Sequence, residues 1–170
     1  SRNIYKNTLG NKIIFEEINH DLNIEFSYEW NSTDKYGFVR KSCLKNNSNS
    51  SVEINLLDGI QNILPYGVEQ GLQNQSSNLV DAYKKCELEQ KSKLGIFTLS
   101  AIIVDKAEPS EALKANTVWS TEINNTKYLL SSLQLDDFRK GISLVSETEI
   151  KAEKGASVSY THLRAHETHE

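Results

Sequence analysis

The chain has 170 residues, of which 38% are hydrophobic and 25% charged, and its formal net charge is −4. This composition is too apolar for a disordered tail, and no apolar run is long enough to cross a bilayer as a helix. The mild acidity argues against nucleic acid or an anionic membrane as partner, because both are negatively charged. These values predict a globular domain.

Alternating apolar residues predict a series of strands in the first half of the chain. Between residues 22 and 30 every second side chain is apolar or aromatic, which is typical of a half-buried strand. Further strands are predicted over 12–18, 36–45 and 52–56. Short polar segments separate these four strands, so the sequence predicts an antiparallel meander.

The second half begins with a different pattern. Leu79, Tyr83 and Cys86 recur at helical spacing after a capping Asn78, which predicts a helix over 79–90. The apolar run 95–104 then predicts a strand that is buried on both faces.

Shorter elements complete the predicted fold. Strands are expected over 112–122, 127–133 and 144–153, with a turn at 124–125 and one helical turn within 135–140. Each predicted sheet has one apolar face that another layer must cover. The sequence therefore predicts a mainly β fold, an antiparallel β-sandwich with one substantial helix near 79–90.

Both ends of the sequence indicate an incomplete natural chain. It contains no Met, and residues 158–168 read VSYTHLRAHET, which matches the translated transposon-end adapter of a sequencing-library kit. We therefore expect a β-sandwich domain over 1–156 that is incomplete, and a non-native, disordered tail over 157–170. The alternative is a natural metal-binding tail with His162, His166 and His169 as ligands. Because the adapter interpretation is preferred, no metal site is predicted.

Cysteine and carboxylate residues give no catalytic motif. Cys43 and Cys86 are far apart and predict two buried, reduced thiols rather than a disulfide. Five aspartates in or beside loops are expected to form turns or caps rather than an acid–base pair: Asp34, Asp58, Asp105, Asp136 and Asp137. No catalytic residue, cofactor or metal is predicted.

One cluster around a single predicted turn fits a sugar site. Flat aromatic rings cover the apolar faces of sugars, while carboxylate and guanidinium groups bond their hydroxyls. The candidate ligand-binding residues are Trp30, Asp34, Tyr36 and Arg40. The alternative interpretation places both aromatic residues in the core and pairs Arg40 with a neighbouring acid such as Glu25 or Glu29. Trp119 is open to the same two interpretations.

A family resemblance adds to these patterns. Residues 38–48 read FVRKSCLKNNS and residues 52–59 read VEINLLDG, giving a strand, a Leu-x-Asn, a polar turn and an alternating strand that ends at an acid. This pattern resembles the N-terminal β-supersandwich domains of cellobiose phosphorylase-like enzymes and related (α/α)6-barrel glycoside hydrolases. The acid here is Asp58, where the family more often has Glu. The resemblance implies a supersandwich-like fold whose catalytic acid lies in a helical barrel that follows this domain.

With this resemblance, one function is preferred over two alternatives. The first is a non-catalytic N-terminal β-sandwich fragment of a carbohydrate-active enzyme, whose parent is a glycoside phosphorylase or hydrolase. Its partners are then the C-terminal catalytic domain of the same chain and an oligosaccharide. The alternatives are a stand-alone carbohydrate-binding module and a structural or adhesive β-sandwich. The compartment is left open.

Overall fold

A computed structural model describes residues 1–104, 110–121, 126–152 and 158–165. Within these ranges the chain is mainly β, as predicted. The strands are β1 Arg2–Lys6, β2 Lys12–Asn19, β3 Ile24–Thr33, β4 Gly37–Asn46, β5 Ile54–Gln61, β6 Lys84–Glu89, β7 Leu94–Leu99, β8 Asn116–Val118, β9 Lys127–Leu129, β10 Glu149–Lys151 and β11 Val158–Ala165. The helices are α1 Gln70–Gln75, α2 Ser77–Tyr83, a 3₁₀ turn Ser132–Gln134 and α3 Leu135–Arg139. The chain divides into two compact units, with residues 1–54 in the first and residues 55–165 in the second.

The first unit is an antiparallel meander in the order β1-β2-β3-β4. Short polar turns fix its hairpins. Asn19 Oδ1 accepts hydrogen bonds from the backbone N–H groups of Asp21 and Leu22 at 3.0 and 2.9 Å, which closes the turn before β3. Gly37 begins β4 at φ +68°, a left-handed conformation that glycine adopts without strain. These turns set the register that places side chains on each face.

Two details of the predicted meander are wrong. Its first strand is β1, which the sequence did not predict, and its predicted fourth strand is β5, which belongs to a different sheet. The loop between β4 and β5 explains the departure, because Asn46 Oδ1 accepts from the Ser48 N–H at 2.9 Å and its Nδ2 donates to the Ser50 carbonyl at 2.7 Å. This ordered loop ends the ladder after β4 instead of closing a hairpin.

The second unit contains two sheets, in the orders β10-β6-β7-β8 and β5-β11-β9. Residues from the β10-β6-β7-β8 sheet pack with Leu130, which directly follows β9 of the β5-β11-β9 sheet. The second unit is therefore sandwich-like. The cluster is formed by Cys86, Phe97, Leu130 and Ile150. A second cluster contains Leu129 and Leu144, and a third contains Val68, Val80 and Leu99. Burial of these side chains is the main stabilising contribution in this unit.

The helix predicted over 79–90 ends at Tyr83, and the chain continues as β6. This strand pairs with β7 and β10 on its two sides, and its buried residues Lys84 and Cys86 alternate with half-buried ones because successive side chains of a strand point to opposite faces. Pairing on both sides outweighs a weak helical periodicity. The predicted face and cap are also wrong, since Leu79 is exposed and the N-cap is Ser76.

The apolar run 95–104 is only partly a strand. β7 ends at Leu99, and its alternate residues Gly95, Phe97 and Leu99 are buried while the intervening ones are half-buried. Ile102 forms an isolated bridge with Ser110 and is 45% exposed. The run therefore buries one face fully rather than both.

Later elements fall near their predicted positions. β8, β9 and β10 lie inside the three predicted strands, and α3 is the predicted helical turn. The turn at 124–125, Asp105, and the tail residues His166 and His169 lie outside the described residues. Within the tail expected to be disordered, the backbone of Val158–Ala165 forms β11, which pairs antiparallel with β9.

Neither thiol forms a disulfide, as predicted, but only one is buried. Cys86 belongs to the core of the second unit, whereas Cys43 is exposed. The difference follows from the register, because Cys43 lies opposite Ser27 on the polar face of the meander.

Candidate functional site

The meander of the first unit has one face rich in aromatic side chains. Alternation along β3 places Phe26, Tyr28 and Trp30 on this face, and the register adds Phe15 from β2 and Arg40 from β4. We call these five residues the aromatic face. The rings of Phe15 and Tyr28 are stacked, with centroids 4.9 Å apart and planes at 18°. The Phe26 ring lies 6.1 Å from that of Tyr28.

Arg40 lies over the rings of this face. Its guanidinium carbon is 4.3 Å from the ring centroid of Tyr28 and 5.9 Å from that of Trp30, its direct partner across the two strands. Both distances are within the range of cation–π attraction. Arg40 Nη1 also donates to Ser42 Oγ at 2.6 Å. These contacts hold the Arg40 guanidinium close to the two rings.

The aromatic face is half-buried rather than enclosed. None of the residues from 1 to 54, all of which the structure describes, is fully buried. A side chain that is half-buried keeps part of its apolar surface in contact with water, and covering that surface would be favourable. Burial of the exposed part of the aromatic face by a ligand or a packing partner would therefore be favourable.

The opposite face of the meander is charged. Lys12 Nζ lies 2.7 Å from Glu29 Oε2, and Lys45 Nζ lies 3.8 Å from Glu25 Oε2. The hydrogen bond from Lys12 is the main reason that the pKa of Glu29 lies below its usual value. Near this face, the hydrogen bond from Tyr5 to Glu16 raises the pKa of that phenol. This is the pattern of a solvated sheet surface with cross-strand ion pairs.

The structure brings together two of the four predicted site residues. Trp30 and Arg40 are cross-strand neighbours on the aromatic face. Asp34 and Tyr36 lie in the turn that joins β3 to β4, and both are exposed. The Tyr36 N–H donates to Thr33 Oγ1 at 3.0 Å, and Lys35 Nζ is 4.9 Å from the Tyr36 ring centroid, so these contacts are local to the turn.

The burial and the register of these residues bear on the alternative interpretation of the cluster. Trp30 is half-buried and Tyr36 is 53% exposed, so neither is a fully buried core residue. Glu25 and Glu29 lie on the face opposite to Arg40. Their partners on β4 are Lys45 and Lys41, and side chains at odd and even positions of a strand point to opposite faces. Trp119 follows β8 in the second unit and is 48% exposed.

Four of the five predicted aspartates lie among the described residues. Asp34 lies in the first unit, Asp58 in β5, and Asp136 and Asp137 in the first turn of α3. Asp136 accepts from Arg139 Nη1 at 2.8 Å, one turn later in the helix. Among the described residues no group of three or more His, Cys, Asp or Glu side chains is placed to hold a metal ion. No helix in the described ranges is long and apolar enough to cross a membrane.

The predicted site residues leave out Phe15, Phe26 and Tyr28 of the aromatic face, and also Ser42, which bonds to Arg40. Phe26 and Tyr28 were recognisable from the alternation, since they share the face of Trp30 on the same strand. Phe15 and Ser42 were not recognisable in this way, because their place depends on the pairing of β3 with β2 and β4. Register between strands is a tertiary property that the alternation alone does not specify.

Comparison with known proteins adds no family to this description. The chain matches no protein-family model, and no curated protein is significantly similar to it.

Proposed function

We propose that this chain is a non-catalytic, β-rich support domain of a carbohydrate-active enzyme, a glycoside phosphorylase or hydrolase. Catalysis would then take place in a helical-barrel domain of the same protein. The mainly β architecture supports this proposal, as does the resemblance of residues 38–59 to the supersandwich domains of such enzymes.

The observation that carries the proposal is the aromatic face of the first unit. Stacked rings beside a guanidinium form a surface suited to a sugar, because the rings cover C–H faces and the cation donates to hydroxyls. Ser42 adds a hydroxyl next to Arg40. In a support domain, this face would contact an oligosaccharide near the catalytic barrel.

The contiguous gene tests the support role. The uninterrupted reading frame is expected to encode, after Ala156, a helical region with paired carboxylates. A continuation without such a region would refute the proposal, whatever the isolated chain binds.

The second candidate is a stand-alone carbohydrate-binding module, favoured by the same aromatic face. It predicts saturable binding of an oligosaccharide to the isolated chain, followed by tryptophan fluorescence across a panel of glucans, xylans and galactans. Trp30→Ala should weaken binding by about tenfold, corresponding to the loss of one stacked ring. Trp119→Ala is the matched control and should leave the affinity unchanged, because this tryptophan lies in the other unit.

The two experiments separate the candidates. A barrel-encoding continuation without binding by the isolated chain supports the support domain alone. Binding without such a continuation supports the module. Equal loss of binding in the Trp30 and Trp119 variants would exclude the aromatic face as the sugar surface.

A further inference from the structure

Strand β11 is the middle strand of the sheet β5-β11-β9 in the second unit. It pairs antiparallel with β9, where Tyr160 is opposite Leu129 and His162 is opposite Lys127. Within the described residues β5 and β9 do not pair with each other, so each uses β11 as the partner for its backbone hydrogen bonds. The two strands therefore form a slot that a third strand must fill.

Apolar packing holds the two walls of this slot together. Leu57 of β5 and Leu129 of β9 belong to one cluster, in which Leu129 has no measurable exposure. Leu144, which precedes β10, belongs to the same cluster. These three residues all precede β11 in the chain, so the slot is held by contacts that do not involve the strand filling it.

A single connection joins β11 to the other described elements. β10 ends at Lys151 and β11 begins at Val158, and we call the six residues between them, 152–157, the hinge. β10 itself pairs with β6 in the other sheet of the unit. A change confined to the hinge is therefore enough to move β11 to the slot of another molecule while β10 stays in its own sheet.

The hinge begins with a strained residue. Ala152 has φ +53°, in the left-handed region, where the Cβ of an alanine crowds the backbone. Its N–H donates to the Lys84 carbonyl at 3.0 Å. Because φ turns the chain after this N–H, the hydrogen bond can be kept when φ changes to a negative, unstrained value. Redirecting the hinge away from its own slot therefore releases strain, and strained hinges favour exchange of an element between copies.

The slot accepts β11 from either of two sources. A second copy of the chain has the same β11 and offers β5 and β9 the same backbone groups. The sheet is then identical in the closed monomer and in a dimer with exchanged strands, and only the hinge differs. Because the pairing uses backbone groups, the exchange does not depend on the origin of the sequence of residues 158–165.

We propose that this chain forms a dimer by exchange of β11, in which β11 of each copy fills the slot between β5 and β9 of the other. Both hinges of the dimer then run between the copies and lose the strain at Ala152. The dimer should form when concentrated chains refold together, because β11 of either copy then competes for each slot. This inference does not depend on the proposed carbohydrate function.

The test cross-links β11 to β9 between two versions of the full chain. Both versions carry Cys43→Ser, one also carries Lys127→Cys, and the other also carries His162→Cys. Residues directly opposite in an antiparallel pair have Cα atoms about 4.5–5.5 Å apart, which is within reach of a disulfide. After refolding together at high concentration and mild oxidation, we expect the disulfide-linked heterodimer to exceed its statistical share over the two homodimers on a non-reducing gel.

Two controls make the cross-link specific. A chain with both Lys127→Cys and His162→Cys should link within itself when it refolds at low concentration, which verifies that the two positions lie opposite each other. A mixture of Lys85→Cys and Lys151→Cys chains should give no excess of heterodimer. These two residues are opposite each other on β6 and β10, and both precede the hinge. All control chains also carry Cys43→Ser.

Variants of Ala152 test the contribution of the strain. Ala152→Gly adopts the left-handed region freely and should lower the association constant of the dimer by about tenfold, whereas Ala152→Val should raise it by about tenfold. The control Lys93→Gly relieves a residue at φ +59° in the turn between β6 and β7. It should leave the association constant unchanged, because this turn is the same in monomer and dimer. Sedimentation equilibrium measures all four chains.

Four results would overturn the proposal. A statistical share of heterodimer in the Lys127 and His162 mixture, although the double variant links within itself, would show that β11 stays in its own chain. Failure of the double variant to link would show that β11 does not lie beside β9. Excess heterodimer in the Lys85 and Lys151 mixture would place the exchange outside the hinge. Equal association constants for the parent chain and both Ala152 variants would refute the role of hinge strain.

Discussion

The two units of this chain use similar strands in different ways. In the first unit an aromatic strand face is half-buried, and no residue from 1 to 54 is fully buried. In the second unit shorter strands enclose buried clusters around Phe97, Leu129 and Val80, each of which has no measurable exposure. Strand pairing alone therefore does not make a core, because burial requires a second layer against the sheet.

The two units also differ in the contacts that stabilise them. The second unit has the features of a stable scaffold, with apolar clusters and a buried ion pair between Lys84 and Asp81 at 2.8 Å. Asp81 also accepts from Gln73 Nε2 at 3.3 Å, which joins α1 to α2. The first unit instead has a half-buried aromatic face. Surfaces with partly exposed aromatic residues are where binding partners gain most from burial.

The largest expected effect is loss of the Phe97 ring. Phe97→Ala should lower the free energy of unfolding of the second unit by about 3–5 kcal/mol, because it leaves a cavity in the cluster with Cys86 and Ile150. Phe26→Ala, the matched change on the half-buried face, should lower that of the first unit by less than about 2 kcal/mol. Hydrogen exchange in increasing denaturant, resolved by region, measures both values. Equal losses would remove the distinction between the units.

Breaking the buried ion pair should be nearly as costly. Asp81→Ala leaves the buried Lys84 ammonium without its carboxylate and should cost about 3 kcal/mol. The control is Asp136→Ala, which breaks an ion pair with Arg139 whose side chains are 70% and 73% exposed. Thermal unfolding should place the control within about 0.5 kcal/mol of the parent chain. A large loss in the control, or none in Asp81→Ala, would contradict the assigned burial.

A smaller effect is expected at the centre of the aromatic face. Tyr28→Leu removes the ring that stacks with Phe15 and lies beneath Arg40. The free energy of unfolding of the first unit should fall by about 1 kcal/mol. Tyr28→Phe keeps the ring and should unfold at the same denaturant concentration as the parent. If the two variants behave alike, ring stacking does not stabilise this face.

The smallest effect is a pH dependence on the charged face. The folded-state pKa of Glu29 is lowered, mainly by the hydrogen bond from Lys12, so this carboxylate stabilises the fold when it is ionised. The contribution is complete above the ordinary glutamate pKa and is lost as the pH falls through the lowered value. Glu29→Gln should reduce the acid sensitivity of the first unit, measured by hydrogen exchange between neutral and acidic pH.

Lys12→Met provides the control for that pH effect. It removes the same interaction from the other side and should reduce the acid sensitivity by a similar amount. An unchanged acid response in both variants would show that Glu29 is not the titrating group. Both changes should leave the second unit unaffected.

Features of the site that arise within one strand could be predicted from the sequence, whereas those that depend on pairing between strands could not. Trp30 and Tyr28 were placed on one face by alternation within a single strand, which needs no knowledge of the neighbours. The pairing of Trp30 with Arg40 needed the hairpin register, which Gly37 and the turn before it determine. Asp34 and Tyr36 are near these residues in sequence but belong to the exposed turn.

By itself, the sequence determined the mainly β class, the aromatic side of β3 and the helical turn at α3. Each of these is a local property of side-chain periodicity and propensity. The tertiary structure decided that residues 84–89 form a strand, because β7 and β10 offer backbone hydrogen bonds on both sides. It also decided that β5 leaves the meander and that the buried core lies in the second unit. These outcomes depend on contacts between distant segments, which local patterns do not encode.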